Sequence, residues 1–225
     1  MLQKSVKQYL EYLKLSGIQD IFFKPPKVKK IKKKPPPQIF DPAQKLKELE
    51  EKYHNCKKCP LWEGRNKFCY GNGNPQAKLM LIGEGPGVDE NRAGKVFVGK
   101  AGQLLTKMLH AIKLTRDEVY IANIVKCRPP ENRNPLPEEK IMCLPYLEEQ
   151  ISIIKPQILL LLGRVAAATL LEMDIPLKAL REQTYSYKGI KTYVSYHPAA
   201  LLRNIGWKKF AWIDLQKVQK DYQSL

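Results

Sequence analysis

Lys78-Leu-Met-Leu-Ile-Gly-Glu-Gly-Pro-Gly87 reads as a short apolar strand running straight into a turn of three glycines and a proline. A run of this length, bounded by turn residues, marks a strand buried on both faces. Three further segments carry the same signature: Val119 to Val125, Gln157 to Gly163 and Lys191 to Tyr196. Helical spacing fills the intervals over Ala101 to Ile112, Pro137 to Ser152 and Val165 to Met173. Strand and helix in this alternation predict an α/β layer fold with a largely parallel central sheet. Ligands of such sheets bind beyond the carboxyl ends of the strands, so the residues just past each strand are the first candidates for function.

The chain has 225 residues, 44% of them hydrophobic, with three Trp and eleven Tyr, enough for one sizeable core. Its net charge of +17 calls for a polyanionic partner, such as nucleic acid or an acidic surface. No run of eighteen apolar residues exists, which excludes a membrane span. Lys4, Lys7, Glu11 and Lys14 interrupt what would be the apolar core of a secretory signal, so a cytoplasmic location is expected.

Three regions are expected. Residues 1–23 hold an amphipathic helix over Ser5 to Leu15, with Val6, Tyr9, Leu10 and Leu13 on one face. Residues 24–40 include Lys24-Pro-Pro-Lys-Val-Lys-Lys-Ile-Lys-Lys-Lys-Pro-Pro-Pro37, whose prolines and seven mutually repelling lysines make a semi-stiff tether. Without those lysines the remainder still carries +10. Residues 41–225 form the globular domain, entered by a helix over Ala43 to Tyr53. Gln19-Asp-Ile-Phe-Phe23, ahead of the tether, loosely matches a sliding-clamp-binding peptide; packing of Phe22 and Phe23 onto the protein is the plainer alternative.

Four of the five cysteines form two clusters: Cys56-Lys-Lys-Cys59 before Pro60, and Cys127 with Cys143. Folding can bring a remote pair to a C-x-x-C pair, which reads as one four-thiolate site for a [4Fe-4S] cluster. Zinc is the alternative, although zinc ribbons usually repeat the C-x-x-C knuckle. Disulfides suit an intracellular chain least. Cys69 is left over and reads as a small apolar side chain.

At the strand ends, Glu84 opens the glycine turn that holds Gly85, and Glu90 follows it. Phe97 lies on the loop Phe97-Val-Gly-Lys-Ala-Gly102, where a ring is either core or a stacking platform for a base. Asn123 ends the second strand and presents a donor and an acceptor together, as an imide edge requires. Lys126 and Arg128 follow it. His197 ends the fourth strand, before Leu201, Leu202 and Arg203.

Over roughly Gln44 to Leu215 these segments resemble the iron-sulfur, family 4 uracil-DNA glycosylases of bacteria and archaea. The resemblance rests on Cys56-x-x-Cys59, Gly83-Glu-Gly-Pro-Gly87, Phe97-Val-Gly-Lys-Ala-Gly102, Asn123-Ile-Val-Lys-Cys-Arg-Pro-Pro130, Cys143 and His197-Pro-Ala-Ala-Leu-Leu-Arg203, in that order. Val88 departs from the family, which commonly has an acidic or polar residue there. The resemblance implies a three-layer α/β/α sandwich on a four-stranded sheet. It implies an enzyme that flips uracil out of single- or double-stranded DNA and hydrolyses its N-glycosidic bond; a monomer is expected. Glu84 would activate water and His197 would donate to uracil O2. Gly85, Glu90, Phe97 and Asn123 would bind the base, with Glu90 against the thymine methyl. Lys126, Arg128 and Arg203 would meet DNA, with Leu201 and Leu202 as a wedge. Cys56, Cys59, Cys127 and Cys143 would hold the [4Fe-4S] cluster. Two rival readings are an electron-transfer protein, against which no flavin or nicotinamide fingerprint is present, and a non-catalytic DNA-damage sensor.

Overall fold

A computed structural model of the chain describes residues 2–18 and 41–225. Two compact units are present, Met1–Ile39 and Phe40–Leu225. In the first, helix α1 spans Leu2–Leu15 and leaves Tyr9, Tyr12 and Leu15 exposed. The Lys/Pro tether and the clamp-like segment Gln19–Phe23 lie outside the described residues.

The second unit begins with α2 (Pro42–Tyr53), capped by the Asp41 carboxylate, which accepts from Ala43 N–H. There follow β1 (Asn72–Gly73), β2 (Leu79–Gly83), α3 (Val88–Ala93), α4 (Lys100–Ala111), β3 (Val119–Asn123) and α5 (Pro137–Ile154). After them come β4 (Ile158–Leu162), α6 (Arg164–Leu171), α7 (Leu177–Glu182), β5 (Tyr185–Tyr187), β6 (Ile190–Ser195), α8 (Pro198–Arg203) and α9 (Lys208–Tyr222).

The sheet has six strands in the order β1-β3-β2-β4-β6-β5, where sequence predicts four. The four expected strands are its parallel centre, and β1 and β5 pair antiparallel at the two edges. Both additions are too short to carry a period. β5 is joined to β6 by a two-residue turn, Lys188-Gly189, with both residues at positive φ.

β2, β3 and β4 are buried at every position, and alternation sends successive side chains to opposite faces. Met80, Ile82, Tyr120, Ala122, Leu159 and Leu161 face the layer that holds α2, α5, α6 and α7. Leu79, Leu81, Val119, Ile121, Ile158 and Leu160 face α4, α8 and α9. The result is the three-layer sandwich. α9 is fastened at its core by a buried ion pair: Arg181 Nε and Nη2 donate to the two Asp214 oxygens at 2.7 and 2.9 Å, and Ser195 Oγ donates to Asp214 at 2.7 Å. This pair clamps α7 and α9 onto the end of β6, two residues before His197.

Removing one partner of such a buried pair strands the other charge. Asp214→Ala should therefore lower the free energy of unfolding by about 3–5 kcal/mol, and the double replacement Arg181→Leu with Asp214→Leu should cost less than the single one. Urea titration of both variants checks the order; a double variant as unstable as the single would contradict it.

Candidate active site

The ends of β2, β3 and β6 and the loop ahead of α4 enclose a cleft of about 530 Å3. Glu84, Gly85, Glu90, Phe97, Asn123, His197 and Arg203 all line it, although Glu84 and Arg203 lie more than a hundred residues apart in sequence. Gly83 makes the convergence possible. A Cβ there would stand 2.5 Å from Asn123 Oδ1 and 2.7 Å from Phe97 Cζ, so only hydrogen leaves room for both.

Asn123 is 1% exposed, and its Oδ1 has no hydrogen-bond partner among the described residues. A buried carbonyl oxygen left unpaired costs about 1–3 kcal/mol, a cost that a donor entering the cleft would relieve. Phe97 is buried, has φ of +53° and packs its ring 5.4 Å from that of His197. Its backbone is held by Arg116, whose guanidinium donates to Phe97 O at 3.1 Å and Val96 O at 3.0 Å. Gly102 permits the loop to lie on α4, since a Cβ there would meet Phe97 O at 1.8 Å.

His197 caps α8, and its Nδ1 accepts from Ala199 N–H at 3.2 Å. That bond leaves the proton of the neutral ring on Nε2. Burial, with Arg203 nearby, brings the imidazole pKa down to about 4, so the ring is a neutral donor at physiological pH. Glu84 shifts the other way: burial raises its carboxyl above the ordinary range, and only Lys140 opposes this. Glu90 is fixed rather than free. Its Oε1 accepts from Val98 N–H at 2.9 Å and Gly99 N–H at 3.0 Å, and its Oε2 accepts from Gly87 N–H at 3.1 Å.

Two placements correct the sequence reading. Lys126 is wholly buried, with its ammonium on Asn123 O at 2.9 Å and Gln150 Oε1 at 2.6 Å, and cannot meet DNA from there. Leu201 is 1% exposed within the core against α4 and α9, so it cannot be a wedge; Leu202 and Arg203 are the exposed pair. Arg128 is half-buried and donates to Asn132 Oδ1 at 2.8 Å. Asn132, Arg133 and Asn134 also line the cleft and were missed; only two Pro-x runs around them signalled a loop.

A second cavity gathers Cys56, Cys59, Cys127 and Cys143 from α2's end, the turn at Pro60, the segment after β3 and α5. Donors point at three of the sulfurs: Tyr146 Oη to Cys56 at 3.0 Å, Arg65 to Cys127 at 3.4 Å and Lys126 N–H to Cys143 at 3.2 Å. Burial raises the thiol pKa of Cys59 and Cys127 and pushes that of Cys143 up to about 12. Among the described residues no set of three or more His, Cys, Asp or Glu side chains is gathered as an ion-holding group. Cys69 is fully buried elsewhere and donates to Glu90 O at 3.1 Å. No helix of the described residues is long and apolar enough to cross a membrane.

The family model described as the uracil DNA glycosylase superfamily matches residues 70–216. A type-4 uracil-DNA glycosylase of Sulfurisphaera tokodaii is 40% identical over 184 residues, covering 78% of this chain and 84% of its own. One from Thermotoga maritima is 39% identical over 158 residues, 69% of this chain and 82% of its own. A type-5 uracil-DNA glycosylase of Pyrobaculum aerophilum is 33% identical over 157 residues, 60% of this chain and 66% of its own.

The direction of the Glu84 shift carries a stability consequence. A carboxyl whose pKa is raised by folding contributes stability that is full below its unfolded value and lost as pH rises through the folded one, so the ionised group is a burden near neutrality. Glu84→Gln should thus resist urea better than the parent near pH 7, with the gain shrinking below the ordinary Glu value of 4.5. An equal gain on both sides of that value would show that burial of the charge is not its source.

Proposed function

The chain belongs to the uracil DNA glycosylase superfamily, and from that premise we propose how its residues release uracil from DNA. The protein is a uracil-DNA glycosylase of DNA repair: it breaks the bond between deoxyribose C1′ and uracil N1, leaving free uracil and an abasic site. The observation that carries the residue assignment is the unpaired, buried Oδ1 of Asn123 on the cleft wall. In the extruded nucleotide, uracil N3–H would donate to Oδ1 and the Asn123 amide N–H would donate to O4. Cytosine offers the reverse pattern on that edge and would leave both groups unpaired, a mismatch that such sites reject strongly. Phe97 would stack on the base. Glu90, immobilised by three amides, would stand against C5, where a thymine methyl needs space.

Departure of the base puts negative charge on uracil and positive charge on the sugar. His197 Nε2–H, already neutral and aimed by Ala199, would donate to uracil O2 as that charge grows. Glu84 would accept hydrogen bonding from the attacking water and face the cationic sugar. The water oxygen bonds to C1′, the C1′–N1 pair leaves with uracil, and the water's proton balances the anion. The exposed Leu202 and Arg203, with the half-buried Arg128, are the groups suited to the strand, Leu202 by filling the gap and the arginines by meeting phosphate.

The thiol ring suits a [4Fe-4S] cluster held by Cys56, Cys59, Cys127 and Cys143. A tetrahedral zinc, with Zn–S bonds of about 2.3 Å, needs sulfurs converged on one point, whereas a four-iron cube takes a wider ring. The donors from Arg65, Tyr146 and Lys126 N–H favour thiolates, and at the buried Cys127 and Cys143 a metal's charge would stabilise them further. When bound, the group supplies a covalent tie between the segments it joins; hydrolysis of a glycosidic bond transfers no electrons.

An oligonucleotide with a single uracil, cleaved by alkali after incubation, reads the activity directly. His197→Ala and Glu84→Gln should each lower single-turnover excision by about 10²-fold or more with DNA binding retained; near-wild-type rates in both would remove the assigned roles. Asn123→Asp should gain activity on cytosine, whose amino group the carboxylate can accept, and unchanged base preference would rule Asn123 out as the reader. Iron analysis should give about four atoms per chain, falling sharply in Cys143→Ala; zinc in place of iron would refute the cluster.

A further inference from the structure

Lys126 is the one lysine of the described residues with no exposed surface, and it is bonded at both ends. Its backbone N–H donates to Cys143 Sγ at 3.2 Å. Its ammonium donates to the main-chain oxygen of Asn123 at 2.9 Å and to Gln150 Oε1 at 2.6 Å. The Gln150 amide is itself oriented: Nε2 donates to Tyr70 O at 2.9 Å and to Tyr120 Oη at 3.3 Å, which leaves Oε1 facing the ammonium. Cys143 and Gln150 are seven residues apart on α5, two turns along one face of the helix. A long, strongly hydrated side chain is not buried for packing alone, because a charge so placed is costly unless its donors are used.

We propose that Lys126 is a positioning residue for base recognition, its ammonium locking the Asn123 main chain to α5 so that the aim of the reading amide depends on the helix that carries Cys143. The inference rests on Asn123 being the base reader. Asn123 ends β3, and the strand's ladder to β2 ends with the pair Gly83 and Asn123. Past that rung, Ile124 N–H and Val125 N–H still reach Gly83 O and Glu84 O, so the β2 side of the segment is held. The Asn123 carbonyl points to the other side, where the ammonium meets it. Without that donor the carbonyl is an unpaired acceptor in a dry site, and the peptide can turn to seek another. Turning it swings the side-chain amide on the same Cα.

A phosphate-contacting lysine and a positioning lysine differ in what their loss does. Losing a phosphate contact weakens binding to all sequences alike and reduces the salt dependence of binding by about one unit. Lys126→Met keeps the length and removes the ammonium. It should reduce single-turnover excision of uracil by about tenfold or more and lower the ratio of uracil to cytosine excision, while affinity for an undamaged duplex and its salt slope stay unchanged. Gln150→Leu, which leaves the Asn123 bond but frees the ammonium's other end, should give a smaller loss of the same kind, and it decides the matter if Lys126→Met does not fold. Unchanged excision by the folded variant, or loss of one unit of salt slope with base preference intact, would overturn the proposal. Wild-type protein and Asn123→Ala are run beside them. A wild type without excision, or an Asn123→Ala with full base selectivity, would overturn the base-reader assignment and this inference together, whereas an active, Asn123-dependent wild type matched by Lys126→Met would overturn this inference alone.

Discussion

The last rung of the ladder between β2 and β3, where Gly83 pairs with Asn123, is the constraint on which the site depends. A hydrogen in place of a side chain at 83 lets Asn123 Oδ1 and the Phe97 ring close over the strand end. The parallel pairing places the Glu84 turn and the Asn123 segment side by side. Any side chain at 83 would push apart the two groups that a planar base needs beside it. Both strands are buried on both faces, and past the rung Ile124 N–H on Gly83 O and Val125 N–H on Glu84 O hold the register.

Around that rung, desolvation moves two ionisable groups in opposite directions. The imidazole of His197 is kept neutral and its Nε2–H available, while the Glu84 carboxyl is held above the ordinary range. Desolvation is the larger cause of both shifts, with Arg203 adding to that of His197, and both disfavour the charged form. Such a wall strengthens each dipole aimed at developing charge. The burden of a half-buried Glu84 is offset elsewhere, by the core on either side of the sheet and the clamp of Arg181 on Asp214.

The thiol cavity and the cleft are neighbours through the segment 123–127. Cys127 is four residues past Asn123, Lys126 spans from Cys143 to the Asn123 carbonyl, and Arg65 joins Cys56 O to Cys127 Sγ. The cysteine cavity and the cleft thus share one loop.

Much was legible in one dimension. The four central strands, α4, α5 and α6 between them and the cleft residues Glu84, Phe97, Asn123 and His197 follow from local signals: apolar runs of strand length, 3.6-residue periods, and glycine or proline just past a strand. The short edge strands β1 and β5 were not, since two or three residues carry no period. Nor was α9, whose weakly patterned surface is half apolar and exposed, at Trp212 and Ile213 among others. Lys126 and Leu201 mark the boundary most clearly. Sequence places a lysine beside a cysteine and a leucine two residues before an arginine, and in both cases the expectation was surface. Whether such a side chain meets water depends on partners brought from α5 or α4, tens of residues away. The residue order determined the periods and hence the layers and strand ends; only the tertiary structure decided which side chains those layers enclose, because burial is a sum over contacts distant in sequence.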